Sequence, residues 1–374
     1  MSIRGGQLPR LAIACWGNDW LMRRDAPQGE YRSLKRVLDE LCERGYNALR
    51  VDVFPHLIAA REDSAVEDRF EIPRTGEPSV WMHPRNSLVE LATLAKARNI
   101  RLWLTSEFLH DTQARRSFVR RPRDFVDVWS QTLTLLRDNQ LLDTVVAVDF
   151  CHEFTDPHTT HGAYRALFNR HPRSPLARLA DWTKTAESSV EEYLLNVPRA
   201  LRASFPDIAF GVSVSGQTEK YIRKLDTTEL DFIDTHLWID DDPRVGLMSA
   251  SPLALSSNRF ARGLQTRVAA LAWRARGTFW LQRVEDRIEN LGEFSRLRRL
   301  QPVICAGYVR LASESQADWR WVREVSESII KVSLSQGMST LVTAHHARPH
   351  SAELWSDVEW HQTVTHLILT GPGS

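Results

Sequence analysis

The sequence lacks paired cysteines, long apolar runs and any excess of charge of one sign. Its four cysteines stand singly, without the close pairs of a zinc site or the density of a disulfide framework, so we expect buried free thiols. No stretch approaches the roughly 20 apolar residues that span a bilayer, and the apolar run nearest the start, residues 11–15, is too short for a secretory signal. These absences predict a cytoplasmic protein without a membrane partner.

The charge balance and the missing motifs exclude further classes of protein. With 48 Lys and Arg residues against 47 Asp and Glu residues, the net charge is +1, so no global field attracts nucleic acid. No glycine-rich phosphate-binding loop follows a predicted strand, and none of the 13 histidines falls in a spacing typical of a metal site. We therefore expect no nucleic-acid partner, no cofactor and no metal.

Apolar, β-branched runs alternate with segments of helical periodicity along the whole chain, a pattern typical of βαβ units. Strands are predicted at 10–16, 48–54, 101–105, 145–150, 209–214, 232–237, 302–307 and 340–344. Helices are predicted at 33–44, 87–98, 123–139, 188–204, 264–300 (a pair), 319–335 and 356–369. Eight such units predict an α/β fold of the (β/α)8 TIM-barrel type in a single domain, 1–370, with a flexible tail, 371–374. A doubly wound open sheet is the alternative, but the glycine-rich loop of such sheets is missing.

Charged side chains occur on and directly after the predicted strands, where barrel active sites lie. Glu153 follows the apolar strand 145–150, which places its carboxylate at the cleft. Arg50 and Asp52 share one face of the second strand, because side chains alternate along a strand. A buried charge needs a partner, so these two residues form either a structural ion pair or a device that orients catalytic carboxylates.

Tryptophan and histidine residues near the strand ends suggest sugar binding, because flat apolar rings stack on pyranose rings. Trp16 ends the predicted first strand and Trp20 follows it, and His236 and Trp238 share one face at the end of the sixth. Tryptophans inside predicted helices, such as Trp360, are expected in the core.

Segments 30–58, 148–154 and 355–361, taken in this order and spacing, resemble the bacterial cellulase-like proteins related to glycoside hydrolase family 5 and the clan of retaining barrel glycosidases. The similarity covers nearly the whole chain. In that clan a Glu after the fourth strand is the general acid/base and a Glu at the end of the seventh is the nucleophile. The resemblance therefore implies an acid/base role for Glu153.

The seventh strand departs from the family pattern, because Ala306 stands where the resemblance places the nucleophile. Retaining hydrolysis needs two carboxyl groups about 5–5.5 Å apart, so we expect this chain to be nearly inert as a hydrolase. Ala306 is either a Glu→Ala substitution or the mark of a natural, non-catalytic sugar-binding relative. We favour the substitution, because Glu153, Arg50 and His236 are all retained.

His152 is a second departure, since it replaces the Asn that the clan carries before its acid/base Glu. That Asn contacts the sugar hydroxyl next to the anomeric carbon, so the exchange argues against a plain β-1,4-glucanase. A hydrolase that uses another carboxylate, such as Glu107, Asp234 or Glu314, is a third hypothesis.

The resemblance thus implies a retaining glycoside hydrolase that acts on an oligosaccharide or glycoside and is inactivated by Ala306. Carbohydrate is the one partner expected, and Arg50 is expected to hold the nucleophile ionised. The residues expected to contact sugar are Trp16, Asp19, Trp20, Arg50, Asp52, His56, His152, His236, Trp238 and His345.

Overall fold

The computed structural model describes residues 8–26, 29–60, 68–74, 77–156, 159–169, 181–216, 218–250, 258–311 and 318–371. Its main sheet contains eight strands, and their order in the sheet follows their order in the chain. A hairpin and a two-stranded ladder lie outside this sheet. This is the (β/α)8-barrel fold that the alternation of strands and helices predicts, and the open-sheet alternative is wrong.

The strands are β1 (Leu11–Trp16), β2 (Ala48–Asp52), β3 (Phe70–Arg74), β4 (Glu77–Met82), β5 (Arg101–Thr105), β6 (Val145–Asp149), β7 (Ala209–Val214), β8 (Phe232–Thr235), β9 (Leu237–Trp238), β10 (Gln301–Val303), β11 (Gly307–Tyr308) and β12 (Thr340–Val342). In the main sheet the order is β10-β8-β7-β6-β5-β2-β1-β12. The hairpin is β3 with β4, and the ladder is β9 with β11.

The helices are α1 (Trp20–Asp25), α2 (Leu34–Glu43), α3 (Pro55–Ile58), α4 (Pro84–Lys96), α5 (Pro122–Asp138), α6 (His161–Phe168), α7 (Lys184–Ser204), α8 (Glu219–Ile222), α9 (Pro243–Met248), α10 (Arg259–Arg298), α11 (Trp319–Ser335), α12 (Ala352–Trp355) and α13 (Val358–Thr370). Short 3₁₀ turns occur at Arg115–Phe118, Leu142–Thr144 and Ile239–Asp241. None of the described helices is both long enough and apolar enough to cross a bilayer.

The chain divides into two compact units. The first is built from Trp16–Cys42 and Asn47–Asp234, and the second from Pro9–Cys15, Glu43–Tyr46 and Thr235–Ser374. In the first unit β2, β5, β6 and β7 pair in parallel, so their carboxyl ends lie along one edge. In the second unit β1 pairs in parallel with β12 over Leu11 to Ile13.

Local sequence explains the main elements. The parallel strands are buried on both faces, which is why they read as continuous apolar runs rather than alternating ones. On α2 the buried side chains are Leu34, Val37, Leu38 and Leu41, the spacing of an amphipathic helix. Helix α11 begins where the Asp318 carboxylate accepts a hydrogen bond from a backbone N–H of its first turn.

Several predicted elements differ in detail from the observed ones. The predicted pair of helices in 264–300 is α10, whose helical geometry breaks at Arg276, with φ −142° and ψ 19°. The seventh strand is shorter than predicted, ending at Val303, and the sixth is split between β8 and β9. The hairpin β3–β4 and helix α6 were not predicted. Cys42 is exposed, so its predicted burial is wrong, whereas Trp360 lies in the core as predicted.

Candidate active site

Arg50 is the centre of a buried polar cluster in the first unit. It projects from the middle of β2, and the residue is only 1% exposed. Its guanidinium lies 3.1 Å from Asp149 Oδ2 and 3.6 Å from Asp234 Oδ2. The guanidinium also donates to Thr105 Oγ1 over 3.3 Å. These partners compensate the cost of burying the Arg50 charge. They lie on other strands, whereas the alternation pattern suggests Asp52, on the same strand, as the partner.

Asp149 links Arg50 to the loop that carries Glu153. The Ser213 hydroxyl donates to Asp149 Oδ2 over 2.7 Å and accepts a hydrogen bond from the Glu153 backbone N–H over 2.8 Å. The neighbouring N–H groups are fixed as well, since His152 donates to Ser106 O over 2.9 Å and Phe154 donates to Ser213 O over 2.8 Å. Three consecutive backbone donors are therefore bonded, which fixes the backbone of Glu153.

Residues with positive φ follow the carboxyl ends of β2, β5 and β6. Phe54, Phe108, Glu153 and Thr155 all have positive φ values, of 53°, 48°, 46° and 78°. Such conformations are unfavourable for residues with side chains, and they persist where the surrounding structure holds them, commonly at functional sites. The edge of the first unit that carries Glu153 therefore contains residues with unfavourable backbone conformations.

Asp52 and Glu107 form a coupled pair of carboxyl groups at the same edge. Asp52 accepts hydrogen bonds from the backbone N–H groups of Phe54, over 3.0 Å, and Glu107, over 2.7 Å. Burial raises the pKa of Asp52 to about 7, although both N–H groups oppose the rise. Burial and then the charge of Asp52 raise the pKa of Glu107 to about 8. Since Asp52 has the two backbone donors, the pair holds its proton on Glu107 at neutral pH.

His152 lies between Arg50 and Glu107. Its Nδ1 is 2.9 Å from an Arg50 nitrogen and its Nε2 is 4.0 Å from Glu107 Oε1. The side chains of His152 and Glu107 are both partly exposed, at 18% and 27%. The structure therefore brings together four predicted site residues, Arg50, Asp52, His152 and Glu153. Their roles toward sugar stay predictions.

The aromatic candidates after β1 lie in the core. Trp16 and Trp20 are 0% and 1% exposed, and their ring centroids are 5.9 Å apart. The Trp20 indole N–H donates to the Asp52 carbonyl over 2.7 Å, which ties α1 to the end of β2. Asp19 accepts a hydrogen bond from Arg23 over 2.6 Å. In this structure Trp20 contacts the end of β2 and Trp16 packs against Trp20. Their predicted stacking on sugar stays a prediction.

His56 is a buried side chain beyond the end of β2. Its Nε2 donates to the Leu109 carbonyl over 2.9 Å, and its ring packs against Phe108. Burial lowers its pKa to about 3, so the imidazole is neutral at physiological pH. His56 thus joins the loops that follow β2 and β5.

In the second unit, Ala306 stands directly before the ladder of β9 and β11. The Leu237 N–H donates to the Ala306 carbonyl over 3.1 Å, and Trp238 pairs with Tyr308 in the ladder. Ala306 is 2% exposed. A Cβ at Gly307 would lie 2.5 Å from the Leu237 carbonyl oxygen, so close backbone approach requires glycine there.

Trp238 makes a cation–π contact with a guanidinium group. The Arg310 guanidinium lies 4.4 Å from the Trp238 centroid and also pairs with Asp240 and Asp241, at 3.1 and 3.0 Å. The His345 ring meets Trp238 edge-on at 4.9 Å. Trp238 is only 7% exposed. Arg310 covers one face of the ring that is predicted to stack on sugar.

The two remaining histidine candidates also belong to the second unit. Burial, with the nearby charge of Arg348, lowers the pKa of His345 well below its usual range, so its imidazole is neutral. His236 is 0% exposed, and its carbonyl accepts a hydrogen bond from Arg287 over 3.4 Å. Glu314 lies outside the described residues.

Asn18, Asp149 and Ser213 are site residues that the sequence pattern did not single out. Each acts through a partner distant in the chain: Asn18 through Glu107, and Asp149 and Ser213 through each other. The sequence signal for Asp149 is its place as the charged last residue of an apolar strand, directly before the Glu153 loop.

Comparison with known proteins yields one family and many similar structures. The profile of the sugar-binding cellulase-like family matches residues 13–369. No curated protein matches the chain. A candidate glycoside hydrolase from Parabacteroides distasonis is 24% identical, with a TM-score of 0.84, and the alignment covers 98% of this chain and 96% of that one.

More distant structures share the fold. ZgEngAGH5_4 in complex with cellotriose is 12% identical, with a TM-score of 0.55 and coverage of 99% and 98% of the two chains. Cel5A of Thermotoga maritima in complex with mannotriose is 11% identical, with a TM-score of 0.52 and coverage of 91% and 90%. At these identities the similarity establishes the fold alone, a (β/α)8 barrel.

Proposed function

The chain belongs to the sugar-binding cellulase-like family, and from that premise we propose that it binds an oligosaccharide or glycoside in the manner of a retaining glycoside hydrolase. In this proposal Glu153 has the acid/base position, and Ala306 occupies the position of the nucleophile. Arg50 would orient the polar side chains around Glu153, and the partly exposed His152 would contact the sugar.

The fixed loop of Glu153 is the observation that carries the proposal. Glu153 has a strained backbone, with φ 46°, and its N–H is bonded to Ser213, which is in turn anchored on Asp149. Holding such a conformation costs about 1–3 kcal/mol, which the surrounding hydrogen bonds must offset. A backbone fixed in this way suits a carboxyl group that must meet a reacting atom.

The proposed chemistry is the double displacement of a retaining glycosidase, for which this chain lacks the nucleophile. Glu153 would donate a proton to the glycosidic oxygen while a carboxylate at position 306 attacked the anomeric carbon and formed a glycosyl ester. Glu153, now a carboxylate, would then deprotonate the water that hydrolyses the ester. The methyl group of Ala306 cannot form the ester, so the chain would bind its glycoside without turning it over.

A second candidate function is that of a natural, non-catalytic sugar-binding protein. The family's description as sugar-binding and the alanine at position 306 favour it. The two candidates share the ligand and differ in whether the rest of the site still supports catalysis.

The restoring substitution Ala306→Glu separates them. We expect A306E to hydrolyse the aryl glycoside of the correct sugar several orders of magnitude faster than the unmodified chain, measured on a panel of aryl glucosides, mannosides and cello-oligosaccharides. A306Q is the matched control, because it adds the same bulk without a nucleophile. In the A306E background, Glu153→Gln should abolish activity on substrates with poor leaving groups and spare activated ones more. If A306E is inactive across the panel while the unmodified chain binds one of those sugars, the non-catalytic binder is correct.

A further inference from the structure

Large exposed apolar side chains are concentrated on two neighbouring helices of the second unit. Of the nine such side chains among the described residues, seven lie on α9 and α10. Leu247 and Phe260 are the most exposed, at 78% and 79%. Gln265 Nε2 donates to the Ser249 carbonyl over 3.3 Å, which ties α10 to the end of α9. Single exposed apolar residues are ordinary, whereas a concentration of them marks a surface that contacts a partner.

The first half of α10 presents four exposed side chains on one face, Phe260, Leu264, Arg267 and Leu271, which we call the outer stripe. Their spacing of four, three and four residues keeps them on one side of an α-helix. At 1.5 Å per residue the outer stripe is roughly 16 Å long. The helical geometry breaks after it, at Arg276, so the stripe lies on a regular stretch of helix.

The opposite face of the same half of α10 is buried in the second unit. Ala269 and Trp273 lie on the far side of the helix from the outer stripe and are 2% and 7% exposed. The Trp273 indole N–H donates to Glu324 Oε2 on α11 over 3.1 Å. The first half of α10 is therefore apolar on both faces. Helices that are apolar all round are normally buried, so the outer stripe has the composition of a covered surface.

The same part of the chain carries only positive charge. From 243 to 284 the sequence has seven arginines and no Asp or Glu, although the net charge of the whole chain is only +1. Two of these arginines are paired with Asp242 and Asp318, which lie outside the segment. Arg267 is exposed within the outer stripe itself. We therefore expect a partner that covers the stripe to offer negative charge as well as apolar surface.

An anionic lipid surface meets both requirements. A nucleic acid would meet the charge of Arg267 but would leave the three apolar side chains of the outer stripe without apolar contact. A second copy of the chain, in a twofold contact centred on the stripe, would place Arg267 beside the same residue of the other copy, which like-charge repulsion disfavours. Helices that lie in the membrane interface carry Phe and Leu together with arginine and bind anionic lipids. We propose that the outer stripe is a membrane-contact face, which docks on the anionic headgroups of a lipid bilayer.

In this contact Phe260, Leu264 and Leu271 enter the boundary between headgroups and acyl chains, which interfacial helices reach to a depth of roughly 5–10 Å. Arg267 pairs with lipid phosphate. Such a contact uses one face of a helix and needs no segment that spans the bilayer. The expectation of no membrane partner rests on the absence of long apolar runs, and it does not bear on a surface contact.

Co-sedimentation of the intact chain with lipid vesicles tests the membrane-contact face. The vesicles are pure phosphatidylcholine, or phosphatidylcholine with about 30% phosphatidylglycerol. We expect at least about tenfold tighter binding to the anionic vesicles at about 0.1 M NaCl, and release when NaCl is raised to about 0.5 M. Leu271→Ser removes an apolar contact and Arg267→Glu reverses a charge, so each should weaken binding about tenfold.

Two matched controls lie outside the outer stripe. Leu297→Ser changes an exposed leucine in the last turn of α10, and Arg123→Glu reverses an exposed charge in the first unit. Neither should change vesicle binding. Because Leu271 and Arg267 are both exposed, we expect their variants to unfold in urea at the same concentration as the unmodified chain, so a loss of vesicle binding reports on the contact itself.

Failure of the unmodified chain to bind anionic vesicles would overturn the proposal, as would equal binding to both kinds of vesicle. Equal losses in the stripe variants and in the controls would also overturn it, because lipid binding would then not depend on the outer stripe. A dimer in light scattering that Leu271→Ser or Arg267→Glu dissociates, without vesicle binding, would assign the stripe to a second copy instead. None of these residues belongs to the Glu153 site, so each outcome leaves the proposed function standing.

Discussion

The polar cluster of the first unit depends on a few side chains that each serve two partners. Arg50 bonds to Asp149 and to His152, and Ser213 bonds to Asp149 and to the Glu153 backbone. Breaking a buried ion pair by removing one partner costs about 3–5 kcal/mol, because the remaining charge is left uncompensated. The position of Glu153 and the tautomer of His152 are thus consequences of the same buried arginine.

The raised pKa of Glu107 makes the stability of the fold depend on pH. In the folded chain Glu107 holds its proton up to about pH 8, whereas its ordinary value is 4.5. The folded state therefore binds more protons than the unfolded state between these values, and stability falls as pH rises through this range. We expect Glu107→Gln to reduce this loss between pH 5 and 9 by about 2 kcal/mol, a figure discounted for the partial exposure of the side chain. Urea unfolding at several pH values measures it, with Glu90→Gln as the control. The same slope in Glu107→Gln and the unmodified chain would contradict the assignment.

At the scale of elements, two segments that carry the family resemblance contact each other in the second unit. The Arg44 guanidinium donates to the Trp355 carbonyl over 2.8 Å and lies over the Trp355 ring at 4.4 Å. Tyr46 stacks near Trp355 and its hydroxyl meets both Thr343 and His361. These motif residues therefore anchor α13 and the end of β12, a structural role that motif spacing alone does not distinguish from a catalytic one.

The Tyr46 hydroxyl is the central atom of this anchor. His361 Nε2 donates to the Leu354 carbonyl over 3.1 Å, so its Nδ1 accepts from the Tyr46 hydroxyl over 2.9 Å, and Thr343 lies 2.5 Å away on the other side. We expect Tyr46→Phe to lower the free energy of unfolding by about 1–3 kcal/mol, because it leaves buried polar groups unpaired. In urea unfolding the half-buried Tyr221→Phe should change stability by less than about 0.5 kcal/mol. Equal, small effects of both substitutions would refute the anchor.

At the scale of the whole molecule, the sequence predicts the barrel because its parallel strands are buried on both faces and its helices on one. The β3–β4 hairpin escaped prediction, since Phe70–Arg74 contains a proline and alternates only briefly. Glu153 was predictable from its place after a buried strand. Asp149 and Ser213 were not, because their role arises from a contact between residues 64 positions apart, which no local pattern encodes.

Azide rescue of the unmodified chain distinguishes a retaining-glycosidase site that lacks its nucleophile from a site that only binds sugar. If the methyl group of Ala306 replaces a carboxylate, azide can attack the anomeric carbon from the vacated side, forming a C–N bond as the bond to an activated aryl oxygen breaks and the phenolate departs. We expect azide-dependent release of the phenol from the aryl glycoside of the correct sugar, and a glycosyl azide of inverted anomeric configuration by NMR. Binding of that aryl glycoside with no azide-dependent turnover, or a glycosyl azide of retained configuration, would contradict it.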